Sequence, residues 1–133
     1  MKFGKTSTAR MKGLVPRLVD ILNDAIKITK QDFSIISGLR TADEQAKIYA
    51  SGNSELDGYK YRSAHQDGKA VDIAPYINGK VVFELDGYEK EWMEIGRAML
   101  RVAKKHDVVL EWGLAYNIGN GYDQGHFQVG DDV

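Results

Sequence analysis

The chain has no cysteine. That excludes disulfides and every metal site built on thiolates, so a bound metal would have to be held by His, Asp or Glu. Only three histidines occur among its 133 residues, which leaves few ways to assemble a transition-metal site. Neither sign of charge is in excess: 18 Lys and Arg against 19 Asp and Glu give a formal net charge of −1. No strong field draws such a chain to phosphate backbones or anionic membranes, so neither nucleic-acid binding nor membrane insertion is expected. No stretch approaches the roughly 20 apolar residues of a membrane span. The N-terminus, Met1-Lys2-Phe3-Gly4-Lys5, is basic but lacks the apolar segment of a secretory signal. The chain is therefore expected to be made as a cytosolic species, and the missing cysteines suit a reducing compartment.

What is present is the composition of a folded protein. With 43% hydrophobic and 28% charged residues, the chain is expected to form one domain over residues 1–133 with a core that needs no staples. Residues 1–13 are small, polar and basic and read as an extended arm. Leu14 to Ile28 reads as a helix, with Pro16 in its first turn and apolar residues at helical spacing. Phe33-Ser34-Ile35-Ile36-Ser37 has strand composition, and Thr41 with Glu44 forms a capping box opening a helix to about Ala50, stopped by Gly52. Gly52 to Arg62 reads as a loop. Lys69 to Ala74 reads as a strand with Val71 and Ile73 on one face and Ala70, Asp72 and Ala74 on the other. Asn78-Gly79 between apolar runs marks a hairpin. Glu89 to Lys105 is the longest helix, with a buried stripe of Trp92, Ile95, Met99 and Val102. A strand over Val108–Trp112, a loop over Leu114–Tyr122 and a last strand over His126–Val129 complete the chain. Helices and short strands without regular βαβ alternation predict an α+β fold, a small antiparallel sheet with helices packed on it.

Two segments hold the parts of a hydrolytic metal site in a cleft at that sheet: Ser63-Ala64-His65-Gln66-Asp67-Gly68-Lys69-Ala70-Val71-Asp72 and Asp123-Gln124-Gly125-His126. His65, Asp72 and His126 are three N/O ligands, which leaves one tetrahedral position for water. Asp123 is a second, unbound carboxylate, placed to act as general base toward that water and then as proton donor to the leaving amine. For Asp72, a carboxylate flanked by Ala70 and Ala74 in an otherwise apolar strand is costly without a partner, and a metal ion is a sufficient one. Arg40, just before the capped helix, could hold a carbonyl oxygen that gains negative charge. Ser63 could bond substrate or support a metal ligand. Each residue also has a plainer reading. Asp72 could be solvated on an edge strand, His65 a loop histidine, Asp123 a turn former and Arg40 a surface cation. His106 reads as a helix C-terminal cation. Trp112, Tyr59, Tyr61, Tyr116 and Tyr122 could line a groove or simply pack. One zinc ion best matches a His₂Asp set with an open position, although manganese or cobalt could take it.

The spacing Ser63-x-His65-x-x-Gly68-x-Ala70-x-Asp72 followed by Asp123-x-x-His126 resembles the zinc D-alanyl-D-alanine carboxypeptidase family. That family includes the vancomycin-resistance D,D-peptidases and the L-alanyl-D-glutamate endopeptidases of tailed phages. Phe3-Gly4-Lys5, the first long helix, Asp32 to Thr41 and Asp72-Ile73-Ala74-Pro75-Tyr76 look like the phage endolysin branch. The resemblance implies that His65, Asp72 and His126 bind zinc, that Asp123 is the base and that Arg40 stabilises the oxyanion. Some branches carry a glutamate at the position of Asp123, and the shorter side chain would have to come closer to the water. The implied function is a lysin that cuts the peptide stems of bacterial peptidoglycan, as a monomer without a separate wall-binding domain. It would be made in the host cytoplasm and released to the wall. A D-alanyl-D-alanine carboxypeptidase, or a metal-stabilised module that binds the wall without cutting it, are the alternatives.

Overall fold

The computed structural model describes residues 1–52, 54, 56–59, 62–116 and 123–130. The order of elements is α1 (Lys5–Arg10), α2 (Pro16–Ile28), β1 (Phe33–Ser37), α3 (Ala42–Ala50), a 3-10 turn (Ala64–Asp67), β2 (Ala70–Ile77), β3 (Lys80–Val81), α4 (Glu89–Lys105), β4 (Leu110–Trp112), α5 (Gly113–Tyr116) and β5 (His126–Val129). The fold is α+β. The sheet runs β1-β2-β5-β4, antiparallel throughout, with β3 paired to the far end of β2. The β2–β3 turn is Asn78-Gly79, both at positive φ (52° and 78°), the conformation that Asn-Gly favours in a two-residue hairpin.

Strand alternation divides the sheet into two working faces. Ile35, Val71, Ile73, Phe127, Val129 and Trp112 turn to one side and join Leu18, Ile21 and Leu22 of α2 and Ile95, Met99 and Val102 of α4 in a single core. Each fully buried aliphatic side chain there contributes about 1.5–3 kcal/mol before entropy is counted. The alternate residues, Asp72 of β2, His126 and Gln128 of β5 and Glu111 of β4, fall on the opposite face. The helices start and stop for local reasons. Pro16 occupies the first helical position of α2, the capping box of Thr41 and Glu44 is formed at α3, and α4 has Glu89 and Glu91 in its first turn and Lys104 and Lys105 in its last.

The expected extended arm contains α1. Its helix is held by tertiary partners rather than by propensity: the buried Ser7 Oγ accepts from Ile35 N–H at 3.0 Å, and Arg10 Nη1 donates to Ile35 O at 2.9 Å. These bonds satisfy the outer edge of β1, which would otherwise present unpaired backbone groups. Other boundaries also move. The helix expected from Leu14 begins at Pro16, after Val15 in extended conformation, and the strand expected over Lys69–Ala74 runs from Ala70 to Ile77, because Tyr76 and Ile77 pair with β3. The strand expected from Val108 begins at Leu110, because Val108 N–H instead bonds Ala103 O to close the end of α4. The expected loop after Trp112 opens with the short helix α5, while residues 117–122 lie outside the described residues.

Gly96 sits where α4 crosses the sheet, and a Cβ added there would overlap the Trp112 indole ring. Gly96→Ala should therefore lower the unfolding free energy by about 1–3 kcal/mol through overpacking. A helix-propensity gain of about 1 kcal/mol acts in the other direction. Urea denaturation checks the sign, and a stabilised variant would show that the indole can move aside.

Candidate metal centre

His65 enters the site on the 3-10 turn, and two bonds shape that turn. Ser63 Oγ accepts from His65 N–H at 3.2 Å, and Gln66 Oε1 accepts from Ser63 N–H at 2.8 Å. The imidazole is 2% exposed. Its Nδ1 lies 2.9 Å from Gly38 O, and a carbonyl can only accept, so Nδ1 carries a proton and Nε2 is the nitrogen left to face the site. Nε2 points at Asp72 Oδ1, 3.4 Å away. The backbone around it is fixed as well, since Arg40 N–H donates to His65 O at 3.1 Å.

His126 arrives by strand pairing. It stands opposite Asp72 in the β2–β5 ladder, which brings Nδ1 to 3.2 Å from Asp72 Oδ1 while Nε2 lies 2.7 Å from Gln128 Oε1. The two imidazoles meet edge to face with ring centres 5.2 Å apart. Asp72 Oδ1 thus faces both histidines. Its Oδ2 accepts from Arg40 Nη2 at 2.9 Å. The rest of the Arg40 guanidinium is held by Gln45 Oε1 at 2.9 Å and Ser37 Oγ at 3.3 Å. Gln45 is fully buried and donates to Ser54 Oγ and Leu56 O, so α3 and the following loop hold the arginine.

The electrostatics follow from this packing. Burial works against the charge on Asp72, but hydrogen bonds with His126 and His65 prevail and hold its carboxyl far below the usual carboxylate range. Burial also disfavours a charged His126, yet its bond to Asp72 prevails and raises its pKa. Asp123 is shifted the opposite way from Asp72, raised by burial and by the negative charge of Asp72.

One ligand atom from each of His65, Asp72 and His126 lies within 4.8 Å of the others. Two imidazole nitrogens and a carboxylate oxygen on one spot, each imidazole with its remaining nitrogen already engaged, suit a divalent ion with three protein ligands. These residues form a metal-binding triad. Asp123 lies outside the triad: its backbone carbonyl accepts from His126 N–H at 3.2 Å, and its charge is felt by Asp72, His126, His65 and Arg40.

Other expected residues lie elsewhere. Trp112 is core rather than groove, 4% exposed, stacked on Phe127 at 5.6 Å and bonded through its indole N–H to Gln124 O. Tyr59 is exposed and its hydroxyl bonds Asp43. His106 pairs with Asp24 at 2.7 Å, linking the end of α4 to α2. Tyr61, Tyr122 and the side chain of Tyr116 lie outside the described residues. The residues not anticipated are Gln45, Gln128, Glu111 and the Gly38 carbonyl. Glu111 had a readable signal, since Leu110-Glu111-Trp112 repeats the apolar-acid-apolar pattern of Val71-Asp72-Ile73.

The chain resembles known proteins over most of its length. Residues 1–130 match the family described as phage L-alanyl-D-glutamate peptidase. The chain is 32% identical over 121 residues to the L-alanyl-D-glutamate peptidase of Escherichia phage T5, covering 91% of this chain and 85% of that protein. It is similar to the crystal structure of the Serratia marcescens L-Ala D-Glu endopeptidase ChiX. There the TM-score is 0.78 at 28% identity, over 98% of this chain and 90% of that one. A vancomycin-resistance D,D-pentapeptidase VanY, solved with Zn(II), shares the fold at a TM-score of 0.54 and 14% identity, over 87% of this chain and 72% of that one.

The Ser63 hydroxyl is engaged by the turn that carries His65, so its removal should act on stability. Ser63→Ala should cost about 0.5–2 kcal/mol of unfolding free energy in the metal-free protein, as loss of a capping side chain does. A variant of unchanged stability with a raised KM would instead assign the hydroxyl to substrate.

Proposed function

The chain belongs to the phage L-alanyl-D-glutamate peptidase family, and on that premise we propose that residues 1–133 act as one catalytic domain that cuts peptidoglycan stems with one zinc ion held by His65, Asp72 and His126. The peptidase activity follows from the family, and its substrate is the L-alanyl-D-glutamate bond of bacterial peptidoglycan. The observation that carries the zinc assignment is the convergence of three ligand atoms within 4.8 Å, two of them on histidines whose other nitrogens already have partners.

Zinc, when bound there, supplies Lewis acidity toward the scissile carbonyl and makes a water more acidic. The chain's own residues do the rest. Asp123 takes a proton on its carboxylate from the attacking water and returns it to the amine nitrogen of the departing D-glutamate. Its raised proton affinity supports that role, because the same group has to hold the proton before giving it up. Arg40 engages Ser37, Gln45 and Asp72 with one N–H from each of its three nitrogens. Its other two N–H donors have no partner among the described residues, and they bind the carbonyl oxygen as negative charge grows there. In this reading the enzyme is a lysin that opens the host wall at the end of infection. No helix among the described residues is long and apolar enough to cross a membrane.

Digestion of purified sacculi, with the fragments weighed by mass spectrometry, tests the bond. A new N-terminal D-glutamate is expected. Release of terminal D-alanine alone would move the activity to a D,D-carboxypeptidase, and no cleavage by zinc-loaded protein would leave a wall-binding module. Chelation should abolish cleavage and added zinc restore it. Asp123→Asn should lower kcat by about 10²–10⁴-fold with zinc content unchanged. A variant as fast as the parent would remove Asp123 from the role of base.

A further inference from the structure

Gln128 lies two residues beyond His126 on β5 and so shares its face of the sheet, and the β4–β5 ladder sets Glu111 directly opposite Gln128. Gln128 Nε2 donates to Glu111 Oε2 at 3.1 Å, and Gln128 Oε1 lies 2.7 Å from His126 Nε2. Both side chains are half-buried. A carboxylate oxygen accepts, so Glu111 holds the NH₂ end of the amide toward β4. The end left for His126 is the carbonyl oxygen, which can only accept. His126 must therefore carry N–H at Nε2 and direct Nδ1 toward Asp72 Oδ1. If the amide turned over, its NH₂ would face Nε2, the neutral ring would move its proton to Nδ1, and the metal-facing nitrogen would be blocked.

The contrast with His65 explains why two residues are needed. There the acceptor is the Gly38 backbone carbonyl, which cannot turn over. A glutamine amide can, unless something fixes it. We propose that Gln128 and Glu111 are positioning residues for the metal centre: Glu111 fixes the orientation of the Gln128 amide, and Gln128 fixes the tautomer that offers His126 Nδ1 to the metal. The arrangement is a histidine–amide–carboxylate relay running across β5 to β4, and it rests on the reading of His126 as a ligand.

The test measures zinc affinity of metal-free protein by competition with a chromophoric chelator, alongside ¹⁵N spectra of the histidine rings. Gln128→Leu should weaken zinc binding by about 10–100-fold, the usual cost of losing a ligand's supporting partner. Glu111→Leu, further from the metal, should weaken it in the same direction by less. The swapped pair Gln128→Glu with Glu111→Gln keeps an acceptor toward His126 and a donor between the strands, so its affinity should return toward that of the parent. With zinc bound, the spectra should show His126 protonated at Nε2 and not at Nδ1 in the parent and in the swapped pair. Folded Gln128→Leu and Glu111→Leu variants that bind zinc like the parent, or a zinc-loaded parent whose His126 is protonated at Nδ1, would overturn the relay. If Gln128→Leu does not fold, Glu111→Leu and the swapped pair decide. His126→Ala separates the two claims: parent-like zinc binding there removes His126 as a ligand, whereas weakened binding there with unchanged Gln128→Leu removes the relay alone.

Discussion

A carboxylate set between Val71 and Ile73 in an inner strand cannot be left without partners, because burial without compensation costs several kcal/mol. Asp72 resolves this with both oxygens. Oδ2 takes the Arg40 guanidinium and Oδ1 faces the two histidines. Much of the neighbouring structure serves these contacts. The β1–β2 register shifts between Ile35 and Ser37, so that Ser37 comes opposite Asp72 and its hydroxyl reaches Arg40. Gln45 is buried in order to hold the same guanidinium, and the 3-10 turn delivers His65 with its spare nitrogen already bonded. Without a metal the carboxylate is balanced by these groups, so the site's geometry is largely formed before an ion enters.

The two-sided sheet makes that geometry stiff. Val71, Ile73, Phe127 and Trp112 anchor one face in a core shared with α2 and α4, and the residues between them supply the chemistry on the other. Placing ligands on strands and on a capped turn, rather than on long loops, keeps them within the tolerance that catalysis requires. No buried side-chain nitrogen or oxygen among the described residues lacks a hydrogen-bond partner, which a half-satisfied polar cluster of this kind would not achieve.

Much of this was legible in the sequence. The alternation around Asp72, the Thr41–Glu44 capping box, the Asn78-Gly79 turn and the stripe of α4 are local signals, and each appears where it was expected. The histidines were legible because so few candidates exist. Tertiary features were harder to read. Helix α1 depends on Ser7 and Arg10 reaching β1, a contact 25 or more residues away in sequence. Trp112 belongs to the core because Phe127 and Gly96 meet it there. Gln45 looks like an ordinary polar helix residue until Arg40 is placed beside it. Gln128 gains its role from strand register, which pairs it with Glu111, and no local pattern announces register.

Zinc-edge anomalous diffraction from crystals of the zinc-loaded protein tests the metal centre most directly. A single strong peak bonded by His65 Nε2, Asp72 Oδ1 and His126 Nδ1 is the expected result. A peak away from these three residues, or one bonded through His126 Nε2, would contradict the assignment.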